Sequence, residues 1–279
     1  MVGWERSTKA RAPSSPGVTQ AGASCEIRAL DSVADLIESY RLRYEVYGAL
    51  GYLQQFNESR LEIDEYDESA IPFGAFDTGS GHMIGTLRLI TLEPQPDYAQ
   101  LVRRVVGLCA DPALSRQTSG PRHHPLPSII SPDIERRIAA FNRDNFVVQE
   151  LSRTIVRPGY RGGGVSRGLM ELGLAYAAQQ SPSVLIGGCA TEHVPMYARY
   201  GYTKLPDSGM NRYDSVGVIA HAVVCRTDVL PQPTRAQVDE LLRVMSAGGS
   251  DRTLEIGKDS RAIFRFSGPR RPRRRTIEW

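Results

Sequence analysis

The chain of 279 residues contains few cysteines and histidines, and their spacing matches no ligand pattern. The four cysteines lie far apart, and the adjacent pair His123 and His124 stands in a Pro-rich stretch without further ligand residues. Zinc sites and disulfide frameworks need cysteines or histidines at characteristic spacings. We therefore expect reduced thiols and no metal site, and reduced thiols predict a cytoplasmic location.

Long apolar runs are also missing. No stretch reaches the roughly 18 apolar residues that a transmembrane helix requires, and the polar N-terminus lacks the apolar core of a signal peptide. The net charge of +3 is too small to indicate a specific nucleic-acid partner. Hydrophobic residues make up 41% of the chain, which is typical of a globular protein with a substantial core.

The order of patterned and unpatterned segments predicts one domain with two tails. Residues 1–24 read as a disordered leader, residues 25–230 as the domain, and residues 231–279 as a helix followed by a basic, disordered tail. Within the domain, residues 110–133 are rich in Pro, Ser and His and predict an irregular insertion.

Hydrophobic periodicity predicts interleaved strands and helices, and therefore an α/β fold around one sheet. The predicted strands are 25–30, a hairpin at 73–92, 146–156, 183–190 and 216–226. The predicted helices are 31–53, 133–145, 165–180 and 191–202, and Asp31 or Ser32 is the predicted cap of the first. A T-x-x-Q capping box predicts one more helix, which starts at Thr234 and runs at least to Met245.

A glycine-rich segment, RPGYRGGGVSRG at residues 157–168, stands between a predicted strand and a predicted helix. Glycines let successive backbone N–H groups turn toward one point, and the N-terminus of a helix adds free donors and partial positive charge. The spacing matches neither a P-loop nor a dinucleotide-binding fingerprint. The segment is therefore an anion site or, alternatively, a flexible turn without a ligand.

The surroundings of this segment resemble those of the GNAT acyltransferases. The strand, the glycine loop, a helix, a strand and an aromatic helix ending in Gly-Tyr follow one another in that family's order. The resemblance implies a single domain with a central mixed, mostly antiparallel sheet flanked by helices. It also implies that the loop holds the phosphates of acyl-CoA or of an acyl-phosphopantetheine arm as co-substrate, with no tightly bound cofactor. The residues concerned are Ile155, Val156, Arg157, Arg161, Gly162, Gly163, Gly164, Val165 and Ser166, which stands where the family has Gly or Ala.

Five further fragments resemble the acyl-homoserine-lactone synthases and the N-acyl amino acid synthases. They are R-x-x-V-Y at 43–47, L-G-Y at 50–52, E-x-D-x-Y-D at 62–67, G-x-x-R-L at 85–89 and E-x-S-R at 150–153. Tyr52 replaces the usual tryptophan of the lactone synthases, and the chain is longer than theirs, which favours the N-acyl amino acid synthase branch.

These fragments supply the charged residues that the resemblance assigns to acceptor binding. They are Arg43, Asp64, Asp67, Arg88 and Arg153. An arginine fork suits bidentate capture of a substrate carboxylate. The alternative is a structural network in which these charges pair with one another, because a lone buried charge is costly.

The implied reaction is attack of an amine on an acyl thioester. Glu150 is the candidate base, directly or through water, since burial in an apolar strand raises the pKa of a carboxyl group; it could instead pair with Arg153. Backbone N–H groups near Ile155 and Val156 would polarise the carbonyl. Tyr197 would protonate the departing thiolate, with Tyr200 as second choice and a packing role as the alternative.

The donor is acyl-CoA or an acyl carrier protein, and the acceptor is a small-molecule amine. Exposed arginine runs at 103–104, 136–137 and 270–275 would attract an acidic carrier protein, or would serve only as solvated surface. The sequence does not indicate an oligomeric state. Two alternative functions stay open: a lactone synthase, and a catalytically silent GNAT fold that senses acyl-CoA.

Overall fold

The computed structural model describes residues 24–53, 56–118, 126, 134–180, 182–205, 210–213, 218–246, 254–256 and 262–263. Within these residues the chain forms the predicted α/β fold, with one mixed sheet between layers of helices. The predicted leader lies outside the described residues except for Ser24, and so does the arginine run at 270–275.

Ten strands of the described chain form the sheet, in the order β10-β9-β1-β2-β3-β4-β5-β8-β6, and β7 pairs with β8. Their bounds are β1 Cys25–Ala29, β2 Ala70–Asp77, β3 Met83–Thr91, β4 Val147–Val156, β5 Ser183–Ala190, β6 Thr203–Lys204, β7 Met210–Tyr213, β8 Val218–Arg226, β9 Leu254–Ile256 and β10 Ala262–Ile263. Neighbouring strands are antiparallel except for β4 and β5, so the sheet is mixed and mostly antiparallel, as predicted.

Seven α-helices accompany the sheet in the described residues. They are α1 Val33–Leu50, α2 Pro96–Cys109, α3 Pro112–Thr118, α4 Ile134–Arg143, α5 Val165–Ala178, α6 Val194–Ala198 and α7 Gln232–Ser246. Ser32 caps α1, since its hydroxyl accepts a hydrogen bond from the Asp35 N–H at 3.1 Å.

Helices cover the sheet on both faces because the side chains of each strand point alternately up and down. Phe73 and Ala75 of β2 pack in the core under α5, whereas Phe76 packs in the core under α1 and α2. Helix α5 lies close on the sheet at Gly173, where a Cβ atom would stand 2.8 Å from the side chains of Leu87 and Leu151. A larger residue there would push α5 away from the strands.

The parallel pair β4 and β5 parts after a short contact. Pairing runs from Val147 opposite Ser183 to Gln149 opposite Leu185 and then stops, although both strands continue. Beyond this point β4 keeps its antiparallel pairing with β3, while β5 pairs with β8. The two strands therefore diverge and open a gap at the centre of the sheet.

The insertion predicted at residues 110–133 is wrong for its first part, which forms helix α3. The Asp111 carboxylate accepts hydrogen bonds from the N–H groups of Ala113 and Ser59, at 2.9 and 3.0 Å. Leu114 is fully buried. A capping acid, a proline at the first helical position and one apolar anchor are enough to start a helix. Residues 119–125 and 127–133 lie outside the described residues.

The C-terminal region also differs from the prediction. Helix α7 begins at Gln232, and the Thr234 hydroxyl donates to the Arg199 carbonyl at 3.1 Å, so the predicted capping box is wrong. Strands β9 and β10 lie in the segment predicted as a disordered tail, and β9 adds to the edge strand β1. The sheet therefore extends beyond residue 230.

The predicted helix at 191–202 is shorter than expected. Residues 191–193 form a 3₁₀ turn, helix α6 covers only Val194–Ala198, and Gly201 has a φ of 90° in the turn that follows. All four cysteines are free thiols, as predicted. No helix in the described part of the chain is long and apolar enough to cross a membrane.

Candidate active site

A cavity of about 470 Å³ lies where β4 and β5 part. Its wall is formed by the C-terminal end of α1, the second half of β4, the glycine segment, the end of β5 and helix α6. A volume of several hundred Å³ is typical of a small-molecule site. Seven of the sixteen predicted site residues line this cavity: Arg153, Ile155, Val156, Arg161, Gly162, Ser166 and Tyr197.

The glycine segment forms part of the wall, through Arg161, Gly162 and Ser166. Gly162 has a φ of 82°, and Gly164 has a φ of 86° and caps α5 without a side-chain hydrogen bond. The first N–H groups of α5 therefore have no side-chain cap, and the helix dipole adds positive charge there. This geometry suits an anion such as a phosphate.

Four predicted phosphate-binding residues do not belong to the wall that the described residues form: Arg157, Gly163, Gly164 and Val165. Arg157 donates to the Met83 carbonyl at 3.0 Å and to the Glu45 carboxylate at 2.7 Å. Val165 is buried in the main core. Arg157 therefore fixes the segment to β3 and α1, and Gly163 and Gly164 belong to the loop without lining the described cavity.

Ile155 and Val156 lie on the wall, next to an irregular part of β4. Ile155 lies opposite Thr86 of β3 and Ser152 lies opposite Arg88, so β4 contains one extra residue between these pairs. Such a β-bulge turns the backbone out of the regular ladder. It places the predicted carbonyl-polarising backbone beside the cavity.

Tyr197 of α6 is half-buried and lies on the cavity wall. The side chain of Thr154, the residue that follows Arg153 in the bulge, also lies on this wall and acts to lower the pKa of Tyr197. Burial raises the pKa of Tyr197 above its ordinary value, with a further contribution from Cys189. The phenol is therefore protonated at neutral pH and is in the form that can donate a proton.

Glu150 is fully buried and lies just behind the wall, whose β4 part begins at Leu151. Its charge contributes to the raised pKa of both Tyr197 and Tyr202, so the two predicted catalytic residues lie in one electrostatic environment. Because Glu150 has no exposed surface, only the indirect form of the predicted base mechanism fits its position. Its catalytic role stays a prediction.

The five predicted acceptor-binding residues form a closed ion network with one further acid. Its members are Arg43, Arg88, Arg153, Glu62, Asp64 and Asp67. Arg43 binds Asp67 through two nitrogens at 2.8 and 3.1 Å and also pairs with Glu62. Arg88 binds Asp64 through two nitrogens at 2.7 and 2.9 Å. Three guanidinium groups thus neutralise three carboxylates.

The network keeps its carboxylates ionised. Burial by itself would raise the pKa of Asp64 and of Asp67, but the neighbouring arginines outweigh it and lower both pKa values below the usual range. Arg88 and Arg153 act on Asp64, and Arg43 and Arg88 act on Asp67. The arginine forks predicted to capture a substrate carboxylate are engaged with protein carboxylates.

Of these five predicted residues, Arg153 is the one on the cavity wall within the described chain. The arrangement therefore agrees with the structural-network alternative for Arg43, Asp64, Asp67 and Arg88. Contact of any of them with an acceptor stays a prediction. Glu62 was not selected from the sequence, although it is the first acid of the E-x-D-x-Y-D fragment.

Sequence reasoning also missed several wall residues. Tyr47 is the last residue of the R-x-x-V-Y fragment, and Thr154 directly follows the E-x-S-R fragment. His193 ends the 3₁₀ turn before α6, four residues before Tyr197, and lines the same cavity. This spacing is a signal that could have identified His193.

The second-choice tyrosine faces elsewhere. Burial raises the pKa of Tyr200 to about 12, Glu171 of α5 raises it further, and Arg167 of the same helix opposes the shift. Tyr200 is not part of the described wall. Cys189 is buried in the core, and burial raises the pKa of its thiol to about 12. A thiol of this kind is a poor nucleophile, which agrees with a packing role.

The chain is similar to one known domain family and, at low sequence identity, to several solved structures. Residues 42–171 match the acetyltransferase (GNAT) domain family, whereas a search of curated proteins gave no match. Among solved structures, FeeM, an N-acyl amino acid synthase from uncultured soil microbes, is 18% identical, with a TM-score of 0.49 over 76% of this chain and 94% of its own. BjaI, a CoA-dependent acyl-homoserine lactone synthase solved with SAM and isopentyl-CoA, is 17% identical, with a TM-score of 0.46 over 78% and 90%. The acyl-homoserine-lactone synthase LasI is 18% identical, with a TM-score of 0.44 over 76% and 94%.

Proposed function

We propose that this chain is an N-acyltransferase, because residues 42–171 match the acetyltransferase (GNAT) domain family. It would transfer an acyl group, in particular a fatty acyl group, from an acyl thioester to the amine of an amino acid or a similar small molecule. The observation that carries the proposal is one cavity whose wall contains both the glycine loop and Tyr197. A phosphopantetheine thioester needs a site that can hold its phosphate and its reacting carbonyl at the same time.

The donor is held at its phosphate end. The backbone of Gly162 and the first turn of α5 offer N–H groups to the anion, and the side chain of Arg161 adds positive charge. Both CoA and the arm of an acyl carrier protein present a phosphate in this position. No tightly bound cofactor is part of the proposal.

The chemistry follows from the groups on the wall. The amine nitrogen attacks the thioester carbonyl carbon, the C–N bond forms, and the C–S bond breaks. Backbone N–H groups of the β4 bulge stabilise the charge that develops on the carbonyl oxygen. The protonated Tyr197 phenol gives its proton to the departing thiolate. Glu150 takes the proton of the amine through an intervening group.

The acceptor would enter from the side formed by the end of α1. Tyr47 and Tyr52 lie on this part of the wall, with their rings 6.0 Å apart in an edge-to-face contact. Arg153 lies beside them, with its guanidinium 5.5 Å from the Tyr47 ring centroid. The other four predicted acceptor-binding residues would act on the acceptor only through Arg153. The reaction would take place in the cytoplasm.

The first test is product analysis. The purified protein is incubated with acyl-CoA and acyl-carrier thioesters of several chain lengths and with a panel of amino acids and amines. Release of free thiol together with an amide product in mass spectrometry is the expected result. An acyl-homoserine lactone made from S-adenosylmethionine would overturn the proposed acceptor class.

A thermal-shift series with the same thioesters separates the other outcomes, because a ligand that binds the native state raises the melting temperature. Stabilisation without product from any acceptor would indicate a silent acyl-CoA sensor and would overturn the enzyme proposal. Absence of stabilisation by every thioester would overturn the phosphate site itself.

The Tyr197→Phe variant tests the proton donor. Loss of a general acid lowers turnover by on the order of 100-fold, and donor binding at the distant glycine loop should not change. Turnover is measured by thiol release and donor affinity by calorimetry. Unchanged turnover would remove Tyr197 from the mechanism.

A further inference from the structure

We propose that Arg153 is a positioning residue for the thioester site. Its side chain, held by Glu62 and Asp64, fixes its own backbone in the left-handed conformation and so maintains the bulge of β4 beside the cavity. The identity of the ligand rests on the proposed function, whereas the link between the ion network and the bulge rests on the geometry alone.

The first observation is the register of β3 and β4. Ser152 lies opposite Arg88, and Ile155 lies opposite Thr86. Two residues of β4, Arg153 and Thr154, therefore stand against the single residue Leu87. The extra residue reorients the side chains that follow, because a shift by one residue moves a side chain to the other face of a sheet.

The second observation is the backbone of Arg153. Its φ is 57°, a conformation that is unfavourable for any residue with a Cβ atom. Three other non-glycine residues of the described chain have positive φ: Arg60, Ala110 and Asn145. All three are exposed and lie outside the strands, whereas Arg153 is 5% exposed inside a strand. Something must hold Arg153 in this conformation.

The third observation is what binds its side chain. The Arg153 Nε and Nη2 atoms donate to Glu62 Oε1 at 3.0 and 2.8 Å, and Nη2 donates to Asp64 Oδ2 at 2.9 Å. The two acids are themselves held by Arg43 and Arg88. The guanidinium is therefore fixed from outside β4, and an extended backbone at residue 153 would point it to the other face of the sheet.

The consequence lies in the cavity. Ser152, Arg153, Thr154 and Ile155 all belong to the wall, since β5 has already separated from β4. Thr154 and Tyr197 both line this cavity, and the Thr154 side chain acts on the Tyr197 phenol. Loss of the bulge would move both the backbone groups that face the thioester and the contact that orients the proton donor. Turnover would fall, whereas the glycine loop would still bind the donor phosphate.

The test compares Arg153→Gly with Arg153→Ala. Both variants remove the guanidinium and leave the same carboxylates, but glycine adopts a positive φ freely and alanine does not. We expect kcat to be higher in the glycine variant by roughly tenfold or more, since a misplacement of about 1 Å costs on the order of 100-fold in rate. Affinity for CoA should be the same in both variants.

Equal losses of kcat in the two variants would show that the guanidinium does not act through the conformation of its own backbone and would overturn the proposal. Arg60→Gly and Arg60→Ala are the matched control pair. Arg60 has a φ of 52°, is exposed and lies outside the described cavity wall. Turnover should be the same in both of these variants.

A crystal structure of each Arg153 variant provides a readout that does not depend on activity. The glycine variant should keep the register in which Ile155 faces Thr86, and the alanine variant should lose it. A retained bulge in Arg153→Ala overturns the proposal even if the wild type transfers no acyl group. If neither variant folds, Arg153→Asn and Arg153→Leu replace them, because Asn tolerates the left-handed region better; equal kcat and equal register in this pair would again contradict the proposal.

Discussion

The ion network includes Arg153 of β4, and the glycine loop follows the end of the same strand. The charged groups of the network are paired with one another, whereas the N–H groups of the loop are open to a ligand. In the network, Arg43 and Arg88 direct their nitrogens at protein carboxylates, and both side chains are almost completely buried. In the loop, Gly162 is exposed, and a Cβ atom on it would meet nothing within 4 Å. Polar and charged groups that are paired inside the protein stabilise its fold, whereas exposed polar groups without a protein partner can bind a ligand.

The difference follows from the cost of burial. A buried charge is tolerated only with partners, so a buried arginine is a poor candidate for binding a small, exchangeable ligand unless a partner is displaced. Backbone N–H groups at the start of α5 carry partial charge and can be exposed at low cost. The two regions therefore suit a scaffold and a binding site, respectively.

Breaking the network should produce the largest effect on stability. Asp67 accepts hydrogen bonds from Arg43, forms an ion pair with Arg88, and is 4% exposed. Asp67→Asn leaves an uncompensated buried positive charge, which costs about 3–5 kcal/mol of the free energy of unfolding. Urea unfolding followed by circular dichroism measures this cost.

The neighbouring variant Glu68→Gln is the matched control. Glu68 pairs with Arg103, whose side chain is 70% exposed, so solvent screens this ion pair. The urea midpoint of Glu68→Gln should stay close to that of the wild type. A midpoint of Asp67→Asn that is equally unchanged would contradict the role of the network as a scaffold.

Acid should weaken the same network. The pKa values of Asp64 and Asp67 are lower in the folded chain than in the unfolded chain, where Asp titrates near about 3.9. Their contribution to stability is therefore fully present above this value and is lost as the pH falls below it toward the folded pKa values. Urea midpoints measured from pH 7 to pH 3 should decrease most steeply below about pH 4. Asp67→Asn should show a shallower decrease, and identical slopes would disprove the assignment.

The local structure of the loop could be predicted from the sequence because its determinants are local. Gly162, Gly164 and the start of α5 lie within a few residues of one another, so their spacing predicts a tight turn between β4 and α5, whereas the anion site in this turn stays a prediction. The bounds of β5 were predicted correctly for a similar reason, since a short apolar run lies between a Ser-Pro turn and the polar residues of 191–193. In both cases the information lies within a single element and its flanks.

The pairing within the network was not readable in this way. Arg153 and Glu62 are separated by 91 residues, and which acid faces which arginine depends on the packing of α1 against the sheet. The bulge is equally hidden, since E-x-S-R reads as a regular strand. Strands β9 and β10 form because the edge of β1 offers free backbone groups, which a local pattern does not reveal.

A methyl group added at Gly162 of the glycine loop should have an intermediate effect, mainly on the affinity for CoA. Gly162 has a φ of 82°, so Gly162→Ala changes the backbone preference by about 1–2 kcal/mol without a steric clash. Affinity for CoA should fall roughly tenfold, as 1.4 kcal/mol corresponds to a factor of about ten. Isothermal titration calorimetry measures this change.

Gly159→Ala is the control in the same segment. A Cβ atom on Gly159 also meets nothing within 4 Å, but Gly159 does not have a positive φ. Its affinity for CoA should equal that of the wild type. Equal affinities in both alanine variants would show that the left-handed turn at Gly162 is not needed for binding.

The smallest expected effect is on stability and concerns the Tyr202 hydroxyl, which belongs neither to the ion network nor to the glycine loop. The Tyr202 hydroxyl is buried and has no hydrogen-bond partner among the described atoms, whereas Tyr197, whose ring lies 5.2 Å away, interacts with the polar side chain of Thr154. Tyr202→Phe removes an unsatisfied group and should raise the free energy of unfolding by about 1 kcal/mol, and Tyr197→Phe should lower it by a similar amount. Opposite shifts of the urea midpoint are the expected result. If Tyr202→Phe is destabilising instead, the hydroxyl has a partner that binds it in solution, and the rule that separates satisfied from open groups fails at this position.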